Sequence, residues 1–488
     1  MRTFELEAAG EYPCPRNGAQ RPVVSAARNR RPPAERTAPS RRNSSLSDRK
    51  VHSVISVRYF SAVRVLPAIL LTVLTTCAVQ AADVRVRPGY FDLSTPFFRA
   101  RFLDPAAAEA LPELGARFCR GAWMQQLTLA DEEKGLLVPS TIFDHHPAFG
   151  LPSEFRGAPK IRKLDAGHDL LGKLGVGEVS RPEQNRFKDR LVSLYEWRTR
   201  VNQRDGSEPS LVFVLNAPAG APLPHSLEVR VTANTPGSIK LVYRLVNRSA
   251  TRLAADVYLH PFFTCQRSEH HWWQLPFSRP FTDEKLATPL GADAPHRLDS
   301  MPRGSLVVPA DALKKDRKPW IATGNHATGS VVVLQADRPI QKIITWKHET
   351  CYAVEPFVHV GAAPGSETTW TWLVRPGRGL DRVDHAGPEG LLSVDRRNGS
   401  ATGNLQLGFL PTQGWPTVHC RLTPADNAPA GWEIRQSAAD ASPLSPAIFQ
   451  FHLPEAIAGR VRRLHCTITA GSRVLMEKTI PVPDPDPR

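Results

Sequence analysis

From residue 83 onward, apolar and polar positions alternate with a period of two, the pattern of strands with one buried and one wetter face. Leu227, Val229 and Val231 alternate with Glu228 and Arg230, and the turn formers Asn234-Thr235-Pro236-Gly237-Ser238 follow. Ile239, Leu241, Tyr243 and Leu245 then alternate with Lys240, Val242, Arg244 and Val246. A second turn at Asn247-Arg248-Ser249-Ala250 leads to a strand ending at Leu259-His260, which completes a β-meander with turn residues where the chain must reverse. The same patterning predicts strands over 331–334, 343–346, 352–357 and 368–374, and one short helix over 106–114. Residues 377–388 are rich in Gly, Pro and charge and read as a linker. Beyond them, strands at 404–409, 417–422, 447–453 and 464–468 suit a small C-terminal Ig-like β-sandwich. The prediction is an all-β chain: a head over 1–82, a large β domain over 83–380 and an accessory β-sandwich over 388–488.

Composition sharpens this. The chain has 45 prolines in 488 residues, nearly twice the usual share of about 5 %, which disfavours long helices. A hydrophobic share of 41 % excludes a disordered or collagen-like whole. The net charge of +15 would suit nucleic acid, but about half of the excess lies in the Pro/Arg/Ser-rich residues 1–82, so no nucleic-acid partner is expected.

Within that head, Arg58 and Arg64 precede the apolar run Val65-Leu66-Pro67-Ala68-Ile69-Leu70-Leu71-Thr72-Val73-Leu74 and a small-residue exit to Ala81-Ala82. This is the layout of a secretory signal, too short for the roughly 20 residues of a membrane span. Cleavage after Ala81 or Ala82 would start the mature chain near Asp83, in a periplasmic or secreted location with no membrane span retained. The signal's distance from Met1 suggests translation starting at Val51, Val54 or Val57. Cys77 is a poor lipoprotein cysteine, because Thr76 precedes it. Five cysteines follow the signal (Cys119, Cys265, Cys351, Cys420 and Cys466), an odd number, of which Cys420 and Cys466 are the first pair to test for a disulfide. There is no CxxC spacing.

No Gly-rich phosphate loop, HExxH, GxSxG or Rossmann fingerprint is present, so no cofactor and no metal are implied. The polar residues set into strand-like text are the candidates. His260 ends a strand beside Pro261-Phe262-Phe263, at the rim of a sheet. Glu355 stands in the apolar run Cys351-Tyr352-Ala353-Val354-Glu355-Pro356-Phe357, where a carboxyl is costly to bury and its pKa is expected to rise. A structural histidine and a buried ion pair would explain them equally well. Glu269-His270-His271-Trp272-Trp273 reads as a loop lining a cleft, with Trp272 free to stack on a sugar ring. Lys347 and His348 could face the same cleft, and Arg181, Arg186, Lys188 and Arg190 form a basic run.

His260-Pro261-Phe262-Phe263, then Glu355-Pro356, then Ala363-Pro364-Gly365-Ser366-Glu367 leading into Thr368-Thr369-Trp370-Thr371-Trp372 resemble the galactose mutarotase-like (aldose 1-epimerase-like) superfamily. Arg117-Phe118, Phe149-Gly150-Leu151-Pro152-Ser153-Glu154-Phe155 and Gly172-Lys173-Leu174-Gly175-Val176-Gly177 are similar to a less studied bacterial branch of it. The resemblance covers roughly residues 90–380. It implies a β-supersandwich with a sugar on its concave face, His260 as general acid and Glu355 as general base. The implied activity interconverts sugar anomers: the anomeric hydroxyl loses a proton, the ring oxygen gains one, the ring opens, and it closes on the other face. Arg117, Arg120, Glu154, Lys173 and Lys347 would hold sugar hydroxyls. Where the family places an HGxxR-like segment the chain has Asp144-His145-His146-Pro147, so His145 or His146 would substitute. The alternatives are a non-catalytic carbohydrate-binding protein, or a polysaccharide lyase or glycosidase relative.

Overall fold

The computed structural model describes residues 82–482, apart from 108–113, 140–141, 144–145, 148, 158–159, 166–167, 183–187, 204–207, 293, 303, 316–318, 396–403, 426–431, 455–456 and 458–460. The signal, the alternative starts, most of the 106–114 helix and His145 fall outside them.

Almost every element is an antiparallel strand, as the period-two pattern predicts. A nine-stranded sheet runs Trp197–Asn202, Ser210–Asn216, His225–Thr235, Ser238–Asn247, Glu367–Arg378, Ser330–Ala336, Trp320–Asn325, His271–Gln274, His296–Arg297. The first two strands of the meander read from the sequence lie inside it, but its third, Leu253–Leu259, crosses to the other sheet instead of pairing with Ser238–Asn247. Strands His225–Thr235 and Ser238–Asn247 pair across the Pro236-Gly237 turn, and Leu227, Val229, Val231, Leu241, Tyr243 and Leu245 all point into the core. A six-stranded sheet runs Gly304–Pro309, Ile340–Lys347, Cys351–Ala362, Leu253–Leu259 and Ser153–Arg156, with Phe263–Thr264 also paired to Cys351–Ala362.

The inner faces of these two sheets share one core. From the six-stranded side come Leu253, Ala255, Val257, Leu259, Val354, Val358 and Phe155; from the other come Phe213, Trp370, Trp372 and Trp273. Tyr243 stacks on Trp370 at 5.0 Å, with Phe155 meeting the same indole edge-on. Because side chains alternate, the intervening residues of the six-stranded sheet, Glu154, Arg156, Tyr258, Glu355 and Phe357, are carried on its other face. That alternation positions the site.

Two four-stranded sheets follow, from His385–Gly387, Gly390–Asp395, Asn404–Pro411 and Ala447–His452, and from Ile434–Ala441, Trp415–Pro424, Arg463–Ala470 and Arg473–Pro481. They enclose their own core around Leu407, Phe409, Phe449, Val418 and Ile468. Cys420 and Cys466 lie within it as thiols, Sγ to Sγ 3.7 Å, not as a disulfide.

The segment 377–388 is packed where a linker was expected. Leu380 and Val383 are buried together with Trp272, Val331 and Val333 of the nine-stranded sheet and Leu391 and Leu410 of the C-terminal sheet. The Gln274 amide holds Val383 from both sides, donating to its carbonyl at 2.7 Å and accepting its N–H at 2.9 Å. Gly and Pro marked a turn-rich path, but the two apolar residues inside that path weld the sheets together.

Candidate functional site

Strand Leu253–Leu259 sits between Cys351–Ala362 and Ser153–Arg156, with Tyr258 opposite Phe357 on one side and Glu154 on the other. The strand stops before Pro261, and the His260 N–H bonds to the Pro152 carbonyl at 2.8 Å. His260 therefore continues the face of Tyr258 two residues on, while Glu355 and Phe357 extend the same face from the neighbouring strand. The loop bearing Arg117 and Phe118 is anchored beside them: Cys119 N–H bonds to Ser153 O at 2.9 Å and Arg120 N–H to Gly175 O at 3.3 Å.

His260 Nε2 lies 3.0 Å from Glu355 Oε1, with side-chain exposures of 3 % and 0 %. The imidazole stacks on Phe262 at 4.2 Å and takes Phe118 edge-on at 5.3 Å. Burial and then the Arg117 charge push the imidazole pKa well below its ordinary 6.5, Glu154 opposing them, so the ring is neutral at pH 7. Among the described residues its Nδ1 is buried with no hydrogen-bond partner.

Glu154 is the hub of the neighbouring charges. Its Oε2 accepts from Arg117 Nε at 2.9 Å and from the Tyr258 hydroxyl. Arg156 donates to that hydroxyl at 3.3 Å, and its guanidinium lies over the Tyr258 and Phe357 rings at 5.0 and 4.6 Å. Tyr258 and Phe357 stack at 3.9 Å. Burial lowers the Arg156 pKa, but Tyr258, Glu154 and Glu355 raise it by more, which keeps that cation charged. Burial lowers the Lys173 pKa, while Glu154 and Asp189 raise it; Lys173 Nζ sits 3.4 Å from Asp189, which Arg181 also clasps at 2.8 Å.

The structure thus brings His260, Glu355, Arg117 and Glu154 into one cluster, with Lys173 coupled electrostatically to Glu154. Four sequence expectations need correction. The acid and base touch each other within packed aromatics instead of flanking an open hollow. Trp272 does not line a cleft: it lies on a strand, 1 % exposed, in the core that joins the two groups of sheets. Lys347 points away, donating to the Leu298 carbonyl at 3.0 Å beside a cavity of about 460 Å³ that also holds Lys285 and Asp299. Arg120 is 4 % exposed and donates to Gly115 O at 3.3 Å, within its own loop. His146 lies on a two-residue strand paired with Ile142–Phe143.

Tyr258, Arg156 and Asp189 were not anticipated. Tyr258 and Arg156 each stand two residues from a named candidate, hence on the same face, and that was a usable signal. Asp189 carried none. Among the described residues no group of three His, Cys, Asp or Glu side chains is placed to hold a metal ion, and no helix is long and apolar enough to cross a membrane.

No family model matches the chain, and no curated protein matches it. Solved structures do. A protein of Synechocystis sp. PCC 6803 is 14 % identical, covering 60 % of this chain and 97 % of that one, with a TM-score of 0.41. A galactose mutarotase-like protein from Lactobacillus casei ATCC 334 is 15 % identical, covering 59 % and 100 %, with a TM-score of 0.39. A galactose mutarotase related enzyme from Lactobacillus acidophilus is 12 % identical, covering 61 % and 100 %, with a TM-score of 0.40. The neighbours of this all-β chain among solved structures thus include galactose mutarotase-like proteins.

Proposed function

We propose that the chain is an exported, carbohydrate-active protein whose His260–Glu355 pair exchanges protons with the anomeric hydroxyl and ring oxygen of a sugar, an aldose 1-epimerase-type reaction. The observation that supports it is the 3.0 Å approach of Nε2 to Oε1 between two residues far apart in the chain. The two sugar oxygens share one carbon, so an acid and a base serving both must themselves be neighbours. In ring opening the carboxylate takes the hydroxyl proton, the C1–O5 bond breaks, and the ring oxygen takes a proton from the imidazolium, which is left as neutral imidazole. Closure on the other face runs the same steps in reverse. The pair must hold one proton more than a neutral imidazole and a carboxylate supply together. The dyad takes up that proton as pH falls, whichever group carries it. Export rests on the signal read near residues 57–82.

One observation favours a second reading. Side-chain exposures of 3 % and 0 % leave no path for a sugar without displacement of Phe118 or Phe262. If those rings stay in place, the pair is a structural contact and the protein binds carbohydrate without turning it over. Polarimetry on freshly dissolved single anomers of glucose and galactose separates the two. The enzymatic reading expects interconversion above the buffer rate that is lost in Glu355→Gln; the structural reading expects the buffer rate from every variant.

A further inference from the structure

A cavity of about 360 Å³ lies away from the dyad, lined on one side by the nine-stranded sheet and on the other by strand Cys351–Ala362 and the segment Gly135–Pro139. Neither His260 nor Glu355 lines it; Tyr352 does, and Tyr352 projects from the face of its strand opposite to Glu355. The size falls within the roughly 300–1,000 Å³ usual for small-molecule sites.

Its polar groups have determined directions. Asn325 Oδ1 accepts the Ala327 N–H at 2.8 Å, so its amide NH₂ is the end that meets His271 Nε2 at 3.1 Å. His271 is then an acceptor at Nε2 and carries its proton on Nδ1. Burial, with His270 and His326 adding to it and Glu269 opposing, lowers the His271 pKa to about 4, so the ring is neutral at physiological pH. On the same strand as Asn325 the Thr323 hydroxyl donates to the Trp272 carbonyl at 2.8 Å, so at its 2.5 Å contact with Tyr352 on the opposite wall it is the acceptor. The phenol spends its proton there and keeps its oxygen lone pairs. Gln126 is fully committed, its amide bonded to both the N–H and the carbonyl of Leu137, which braces that wall. Phe263, tilted against Tyr352 at 5.4 Å, supplies apolar surface. Glu132 at the rim is paired with Arg378.

We infer that this cavity is a second binding site, one for a neutral polyhydroxylated ligand of monosaccharide size. The His271 ring, a phenolic acceptor and the Asn325 amide beside an apolar surface match the alternating hydroxyl and C–H faces of such a molecule. A charged ligand is disfavoured, since among the described residues the full charges lining the cavity are Glu132, already paired with Arg378, and Lys134, which is exposed to solvent. The site does not depend on the dyad's chemistry.

The test is a calorimetric titration of the folded, signal-free chain with glucose, galactose and myo-inositol, and with gluconate as the charged control. At least one neutral probe should bind saturably and gluconate should not. Tyr352→Phe, which keeps the ring and its packing, should weaken binding about three- to tenfold, the worth of one neutral hydrogen bond. His271→Leu should do the same, and Glu355→Gln should leave this affinity unchanged whether or not it abolishes turnover. Near-UV circular dichroism confirms that each variant is folded. No saturable binding of the three neutral probes, tighter binding of gluconate, affinity unchanged in folded Tyr352→Phe and His271→Leu, or loss in Glu355→Gln would each overturn the assignment.

Discussion

Removing the Glu154 carboxylate is the sharpest perturbation of the buried cluster. Glu154 is 2 % exposed, and its Oε2 receives both the Arg117 guanidinium and the Tyr258 hydroxyl. Glu154→Ala leaves Arg117, itself 8 % exposed, inside the protein without that counter-charge. Breaking a buried pair from one side costs about 3–5 kcal/mol, because the surviving charge keeps its desolvation penalty. For a unit of some 400 residues that unfolds as a whole, this is a fall in melting temperature of about 4–6 °C. The double change Glu154→Leu with Arg117→Met removes both charges and should recover most of the loss. The same series moves His260. Arg117 lowers the imidazole pKa and Glu154 raises it, so Arg117→Met should shift the ring's NMR titration upward and Glu154→Ala downward. The assays are thermal unfolding by calorimetry and histidine titration by NMR. A loss under about 1 kcal/mol for Glu154→Ala, or a double variant no better than the single, would refute the buried-hub description.

Further outcomes follow from other parts of the molecule. Burial depresses the pKa of His225, His260, His271 and His296, so below pH 6.5 the unfolded chain binds protons that the folded chain refuses. Stability should be full above pH 6.5 and fall as pH drops from there toward the folded pKa values, each group adding a slope of up to about 1.4 kcal/mol per pH unit; urea midpoints flat between pH 7 and 5 would contradict this. Cys420 and Cys466, 3.7 Å apart at Sγ, should join under mild oxidant with the loss of two titratable thiols. Closing that 46-residue loop should stabilise the C-terminal sheets by about 4 kcal/mol on the chain-entropy model, read as a rise in melting temperature over the reduced protein. Gly324→Ala should destabilise and perturb tryptophan fluorescence, since a Cβ there would sit 2.6 Å from the Trp272 ring and 2.5 Å from the Ser330 carbonyl.

Much of the fold was legible because the period-two pattern is a direct record of which face is buried. Leu227, Val229 and Val231 carried their orientation in the text, and so did the Pro236-Gly237 reversal. The meeting of His260 with Glu355 was legible only as a motif order. Nothing local to either residue tells which strands will be neighbours. Enclosure was not legible at all, since it depends on Phe118, from a loop whose path is set by backbone bonds to Ser153 and Gly175. Trp272 shows the limit of reading residue type as role. Adjacent tryptophans look like a sugar platform, yet on a strand they must face opposite ways, Trp273 into the main core and Trp272 toward the C-terminal sheet. Asp189 was invisible because its partners Lys173 and Arg181 are meaningful only once the hairpin between them has folded.

The decisive measurement is exchange spectroscopy on an equilibrated sugar, comparing the wild-type chain with Glu355→Gln from pH 7.5 down to 5. An acid–base dyad one proton short at neutrality predicts anomer exchange above buffer in the wild type, growing as pH falls below 6.5, and none in Glu355→Gln at any pH. Equal exchange in the two proteins across that range would contradict it and leave His260 and Glu355 as a structural contact within a packed β-sheet face.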